Sequence, residues 1–290
     1  MLNKWLFISL PRSAIFGMVA LLTDDVFNFI LNKENILSEA NLLISTHDGV
    51  REITLNRPEK KNALDGQLFS ALAEAMQQAR QDDDVHVVLL LGAGGNFCSG
   101  MDLGGNFDDG SAPFDDCAAA MASFDKPLIA AVDGIAIGGG ATIPLHCDVV
   151  YVGESLRMRF PFVNLGLVPE FSSSYLLQAN IGAQPAAEVM FTAEWINAER
   201  AMSLGLASRA YPDSELHSRA RAKAEEIAQW PVNALVATKR CLKATHKQPI
   251  ATAQAIEARL MAEQVGSPEN TEAITAFFEK RPPNFRSLKA

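Results

Sequence analysis

Gly134-Ile135-Ala136-Ile137-Gly138-Gly139-Gly140-Ala141 follows one apolar strand and leads into a helical run over residues 141–146, and its reading decides the fold. Three consecutive glycines leave backbone N–H groups unobstructed at a helix N-terminus, where the dipole favours an anion. That arrangement suits an oxyanion; a tight structural turn has the same spelling. It is not a phosphate loop, because no GxxxxGK[ST] occurs and Gly92, Gly94 and Gly95 do not complete GxGxxG.

Working outward, residues 85–91, 128–132 and 148–152 are nearly continuous apolar runs, each followed by a glycine: Gly92, Gly134 and Gly153. Such runs read as strands covered on both faces. Upstream, Val50, Ile53 and Leu55 alternate with polar residues as a half-buried strand does, and Asn56-Arg57-Pro58 breaks it. Leu68, Leu72, Met76 and Ala79 predict a helix over 65–80. Strands alternating with helices make an α/β class with functional groups on the connecting loops. Further on, residues 214–229, 232–246, 250–265 and 268–279 are helical, punctuated by Pro231, Pro249 and Pro268. The organisation read from this is an extension over 1–40, an α/β core over 41–213 and a helical region over 214–290 that packs on a neighbour or closes a site.

Of the 290 residues 48% are hydrophobic, enough for a sizeable core, and the formal net charge of −9 argues against a nucleic-acid surface. Cys98, Cys117, Cys147 and Cys241 are widely separated, and His47, His86, His146, His217 and His246 form no HxxxH or HExxH pattern. No metal site is expected, and the thiols read as structural in a reducing, cytoplasmic setting. Residues 2–22 are apolar, but Pro11, Arg12 and Ser13 split them into runs shorter than the roughly 20 residues of a membrane-spanning helix. An N-terminal extension or amphipathic helix is the reading; a cleaved targeting peptide is the alternative. No membrane partner is expected.

A second glycine-bearing segment, Asn96-Phe97-Cys98-Ser99-Gly100-Met101-Asp102-Leu103, lies just beyond the 85–91 strand. Alone it is a plain turn as readily as a ligand loop. The two segments and their separation, with Asn56-Arg57-Pro58 and Asn62-Ala63-Leu64 upstream and Phe278-Glu279-Lys280-Arg281 near the end, resemble the crotonase (enoyl-CoA hydratase/isomerase) superfamily over residues 41–290. The resemblance implies a spiral of repeated ββα units with a C-terminal helical trimerisation region. It also implies an acyl-coenzyme A substrate, no separate cofactor, and a homotrimer or a hexamer of paired trimers. The backbone N–H groups of Met101 and Gly139 would then hold the thioester oxygen. Coenzyme A would lie along Arg57, Lys60, Lys61, Ala63 and Leu64 and the loop Ser99, Gly100, Asp102 and Leu103, with Gly138 beside it. Phe278 and Lys280 would reach the cofactor moiety from a neighbouring subunit. For the lysines, simple solvation is the competing reading.

Two N–H donors make chemical sense, because C2 of an acyl thioester becomes acidic only if charge on its carbonyl oxygen is stabilised; losing one such donor typically costs about 2.7 to 4 kcal/mol of barrier. Hydratases of the family add two glutamates. By resemblance the first would fall at Thr142 and the second at or beside Phe162, so both carboxylates are missing. Pro161-Phe162-Val163-Asn164-Leu165-Gly166-Leu167-Val168-Pro169-Glu170-Phe171 instead resembles the peroxisomal-type Δ3,Δ2-enoyl-CoA isomerases, whose single catalytic glutamate carries over onto Glu170. Phe162, Leu167, Val168 and Phe171 would desolvate it and raise its pKa. Against this stands a structural role for Glu170 as an acid at the N-terminus of a helix over 172–179. Asp102, Asp148, Glu194 and Glu199 read as structural. The resemblance thus points to a 3-enoyl-CoA to 2-enoyl-CoA isomerase, EC 5.3.3-type, of fatty-acid β-oxidation. Other crotonase reactions, namely hydration, dienoyl-CoA isomerisation and thioester hydrolysis, and a silent acyl-CoA binder remain open.

Overall fold

Leu42–His47 (β1) and Val50–Leu55 (β2) form an antiparallel hairpin through Asp48 and Gly49, both at positive φ. The computed structural model describes residues 41–105 and 112–288; the expectations for residues 1–40 lie outside them. Val87–Gly92 (β3), Leu128–Val132 (β4), Val149–Gly153 (β6) and Arg209–Tyr211 (β8) join β2 in parallel, giving a six-stranded sheet in the order β1-β2-β3-β4-β6-β8. Ile135–Ile137 (β5) and Arg157–Arg159 (β7) pair in a separate two-stranded sheet.

All six residues of β3 and all five of β4 are buried, as continuous apolar runs in a parallel sheet require. Gly66–Gln81 (α1) starts where the Asp65 side chain accepts the Leu68 N–H, a helix cap. It packs Leu68, Phe69, Leu72 and Met76 into the main core with Ala112–Ser123 (α2) and the Leu90 face of the sheet. Each such side chain, fully buried, contributes about 1.5–3 kcal/mol.

On the opposite face Asp213–Ala228 (α7 in chain order, after Gly139–Thr142, α3; Ser173–Ile181, α4; Ala183–Thr192, α5; Ala198–Leu204, α6) sets Leu216, Ala220, Ala224 and Ala228 against Val87, Leu89 and Ile129. Their spacing of four puts them on one helix face, and the alanines let the helix approach closely. In this way α7 completes the core on that face of the sheet. Beyond it run Val232–Lys243 (α8), Lys247–Gln264 (α9) and Pro268–Phe278 (α10).

The strands and helices read from periodicity are present within a few residues. The helical run after the three glycines divides into α3 and a 3₁₀ turn, Ile143–His146, with Pro144 at its start. Strand β1 escapes a hydrophobic reading because five of its six residues are exposed at the sheet edge. Strands β5, β7 and β8 have three residues each, too few for periodicity to show. No helix among the described residues is long and apolar enough to cross a membrane.

Candidate active site

Two glycine-bearing segments cross in the interior. The Cys98 N–H donates to the Ile135 carbonyl (2.9 Å) and the Ile137 N–H to the Cys98 carbonyl (3.0 Å). A Cβ on Gly140 would stand 2.1 Å from the Cys98 oxygen, so only glycine permits this approach. Two residues beyond Cys98, Gly100 adopts φ +85, and a Cβ there would meet the Ile137 oxygen at 2.6 Å and the Gly139 nitrogen at 3.6 Å.

The 98–103 loop is pinned on its other side by Leu64, whose N–H donates to the Gly100 carbonyl and whose carbonyl accepts from the Asp102 N–H, both at 2.8 Å. This parallel bridge uses the residues flanking Met101, so the Met101 N–H is turned away from Leu64. Among the described residues neither the Met101 nor the Gly139 N–H finds an acceptor. The Gly138 N–H, in contrast, is taken by the Arg159 carbonyl (3.1 Å), so Gly138 serves the turn and has no free donor.

Glu170 reaches the same place. Its Oε1 lies 3.5 Å from where a Cβ on Gly139 would stand, and Leu64 Cδ1 lies 3.1 Å from that point. No side-chain hydrogen bond engages the Glu170 carboxyl among the described residues. The residue is half-buried by surface accessibility, yet protein packs densely round its carboxyl; burial, with the nearby Glu257 charge adding to it, pushes its pKa up to about 7.

The competing role for Glu170, an acid at the N-terminus of α4, is filled by another residue. Glu257, from α9, accepts the Ser172 N–H on Oε2 (2.7 Å) and the Ser174 N–H on Oε1 (2.8 Å). Between Glu170 and α4 the chain makes a strained turn, with Phe171 at φ +55 and Ser172 at φ +58. Residues held in that region cost on the order of 1–3 kcal/mol each and persist only where surroundings impose them. The Phe171 carbonyl accepts from buried His146 Nε2 (2.8 Å), and its ring packs on Phe114 (centroids 4.8 Å) and Phe69 (6.3 Å). That bond fixes the tautomer with the proton on Nε2, and burial pushes the His146 pKa down to about 4, keeping the ring neutral. Neither Glu257 nor His146 was marked as functional by the sequence, since their partners lie 85 and 25 residues away.

The residues assigned to coenzyme A separate into two groups. Arg57 is only 7% exposed; its guanidinium donates to the Ala63 carbonyl (2.6 Å) and pairs with Asp65 and Asp102, both at 3.0 Å. A phosphate would have to displace these half-buried carboxylates to reach it, and in this arrangement Arg57 braces the loop. Asp102 likewise faces inward; the Lys60 ammonium and the Arg57 guanidinium hold its carboxyl below the ordinary range. Asn62 ties the same region together, accepting the Arg57 N–H and donating to the Ala93 and Asn96 carbonyls. Ala63 is buried beside it. Ser99 joins the two stretches through the Lys60 and Lys61 carbonyls. Lys60, Lys61, Met101 and Leu103 are exposed around this rim. Phe278 and Lys280 sit exposed at the end of α10, and among the described residues neither hydrogen-bonds to the site loops. Thr142 and Phe162, the residues at or beside which the resemblance would set the two hydratase glutamates, are both buried, and the Thr142 hydroxyl donates to the Gly139 carbonyl (3.3 Å).

Comparisons with known proteins agree with this arrangement. The family model described as enoyl-CoA hydratase/isomerase matches residues 45–288. A probable enoyl-CoA hydratase of Rhodobacter capsulatus is 35% identical over 245 residues, 82% of this chain and 95% of that one. Enoyl-CoA delta isomerase 2 of Rattus norvegicus is 29% identical over 252 residues, 83% of this chain and 64% of that one. Hydratase names predominate among the relatives. The crystal structure of an enoyl-CoA hydratase/isomerase from Pseudoalteromonas atlantica T6c superposes with TM-score 0.82 at 36% identity, covering 85% of this chain and all of the other (100%). With its crossed glycine loops, its sheet order and its match over nearly all described residues, this chain is an acyl-CoA enzyme of the enoyl-CoA hydratase/isomerase family, the crotonase superfamily.

Proposed function

We propose that the chain is an enoyl-CoA isomerase that converts 3-enoyl-CoA to 2-enoyl-CoA through Glu170 alone. The observation that carries this reading is the position of the Glu170 carboxyl: free of hydrogen bonds among the described residues, beside Gly139, with a pKa pushed up to about 7. A general base works best with a pKa near the operating pH.

In this mechanism the Glu170 carboxylate removes a proton from C2 of the 3-enoyl thioester. The C–H electron pair moves into a dienolate whose negative charge rests largely on the thioester oxygen. The Met101 and Gly139 N–H groups stabilise that charge. Protonated Glu170 then returns the proton at C4, the double bond settles between C2 and C3, and the carboxylate is regenerated. Coenzyme A enters as part of the substrate, along Lys60, Ala63, Leu64 and the rim Ser99, Gly100, Asp102 and Leu103, with Phe278 and Lys280 completing the site in a homotrimer or hexamer. The double-bond shift places the enzyme in fatty-acid β-oxidation, and its four free cysteines suit a reducing cytoplasm.

The second reading, hydration of a 2-enoyl-CoA, is favoured by the names of most relatives. It needs two acids to orient water, and Thr142 and Phe162 stand where the family's hydratases carry them. One experiment separates the readings: turnover of 3-hexenoyl-CoA, followed by the absorbance of the conjugated product, in wild type and Glu170→Gln. A fall of about 100-fold or more in the variant with acyl-CoA binding intact is expected. Equal rates, or acyl-CoA binding without turnover in either protein, would replace it with another crotonase reaction or a silent binder.

A further inference from the structure

We infer that Glu257 is a positioning residue for Glu170: its carboxylate clasps the N–H groups of Ser172 and Ser174 and so holds the left-handed Phe171-Ser172 turn that presents Glu170 beside Gly139. The inference rests on the reading of Glu170 as the base.

The geometry gives each carboxylate oxygen one backbone donor, and the Ser174 side chain adds a further hydrogen bond. Oε2 takes the Ser172 N–H, at the residue preceding α4, and Oε1 takes the Ser174 N–H, in its first turn. These are unpaired donors of a helix N-terminus, which is also where the dipole stabilises an anion. Glu257 is 6% exposed and Ser172 wholly buried, so water has little access to the pair. Among the described residues the hydroxyls of Ser172 and Ser173 are buried without partners, so the N–H groups of this turn are satisfied by the α9 carboxylate and not by its own side chains. Two successive non-glycine residues at positive φ do not hold that shape unaided. His146 and Glu257 grip the turn from its two sides, one on the Phe171 carbonyl and one on the N–H groups that follow.

The charge has a second consequence. Glu257 is the charged group that bears on Glu170. The other titratable groups around the turn are the Cys98 thiol, pushed up to about 12, neutral His146, with Lys239 and Lys243 behind it, and the Tyr175–His246 pair where α4 meets the start of α9. A negative Glu257 therefore raises the pH at which Glu170 becomes a base, and burial raises the pKa of Glu257 itself while the Ser174 and Ser172 donors oppose that shift.

The test uses Glu257→Gln, which keeps the size but offers one acceptor oxygen and turns an NH₂ group towards the second N–H. Turnover of 3-hexenoyl-CoA, binding of saturated hexanoyl-CoA, and an infrared titration of the Glu170 carboxyl (the difference from the corresponding Glu170→Gln protein) are measured together. The expected result is kcat lowered about tenfold or more, hexanoyl-CoA affinity within about twofold, and a Glu170 titration midpoint moved to lower pH. In a Glu170→Gln background the same change lowers kcat no further, because the two residues act as one unit. An unchanged kcat and midpoint in Glu257→Gln, or a loss that multiplies with that of Glu170→Gln, overturns the inference. Wild-type turnover in Glu170→Gln would instead remove the proposed base, and the infrared midpoint still decides whether Glu257 controls the carboxyl. If Glu257→Gln does not fold, Glu257→Asp, which keeps the charge but withdraws the oxygens by one methylene, is read by the same titration.

Discussion

Oε1 of Glu170 stands 3.5 Å from the point a Cβ on Gly139 would occupy, which puts a titratable carboxyl beside one of the two residues whose N–H groups find no acceptor among the described residues. Proton transfer and oxyanion stabilisation can then act on adjacent atoms of one thioester. The acid held at the α4 N-terminus is Glu257.

Activity should follow the ionisation of Glu170. Only the carboxylate removes a C2 proton, so kcat/KM for 3-hexenoyl-CoA should fall about tenfold per pH unit below a midpoint near its pKa of about 7. Stability should move the other way. A carboxyl whose pKa is raised from 4.5 to about 7 by folding contributes stability in full below 4.5 and loses it as the pH rises through 7. The melting temperature of wild type relative to Glu170→Gln should therefore drop across that window; a constant difference would contradict it.

Two neighbouring glycines should respond differently to a methyl group. Gly140→Ala drives a Cβ to 2.1 Å from the Cys98 oxygen, a backbone atom that cannot yield, and should prevent folding or lower the melting temperature severely. Gly139→Ala meets Leu64 Cδ1 at 3.1 Å and Glu170 Oε1 at 3.5 Å, both side-chain ends. It should fold and lose roughly tenfold or more in kcat/KM, as expected when a methyl enters the space of the reacting thioester. Circular dichroism melts with turnover assays read both.

Arg57 and Lys60 should separate stability from binding. Removing Arg57 takes one partner from half-buried Asp65 and Asp102, which keep the Leu68 N–H and the Lys60 ammonium respectively, and Arg57→Ala should cost about 1.5–3 kcal/mol in urea denaturation. The Lys60 ammonium is exposed, so Lys60→Ala should change stability by less than about 1 kcal/mol. An effect of Lys60→Ala on KM for acyl-CoA with kcat unchanged would place it on the cofactor moiety; an unchanged KM would leave it a loop brace for Asp102.

His146 should make the fold sensitive to acid. Its pKa is pushed from 6.5 to about 4 by burial, so the unfolded chain binds the proton first and stability falls as the pH drops from 6.5 towards 4. That gap corresponds to about 3 kcal/mol. His146→Gln, whose amide can still donate to the Phe171 carbonyl, should lack this part of the acid loss. An identical pH dependence in the two proteins would exclude His146 as its source.

The sequence by itself determined the features that short stretches of chain encode. Continuous apolar runs gave β3, β4 and β6 because a strand buried on both faces admits little else. Leu68, Leu72 and Met76 placed α1 by their spacing, and the crossed loops were legible because Gly100 and Gly140 are required by the geometry. Glu170 stood out as an acid in an apolar segment. Only the tertiary structure decided what each charged group does there. Arg57 belongs to two aspartates because the 57–64 and 98–103 stretches meet, and Glu257 holds the turn beside Glu170 across 85 residues of chain. Strand β1 and the three-residue strands exist because neighbouring backbones supply their hydrogen bonds. Local patterns report which face of an element is buried; which polar groups share a buried space depends on contacts between distant segments, and those form only when the chain closes on itself.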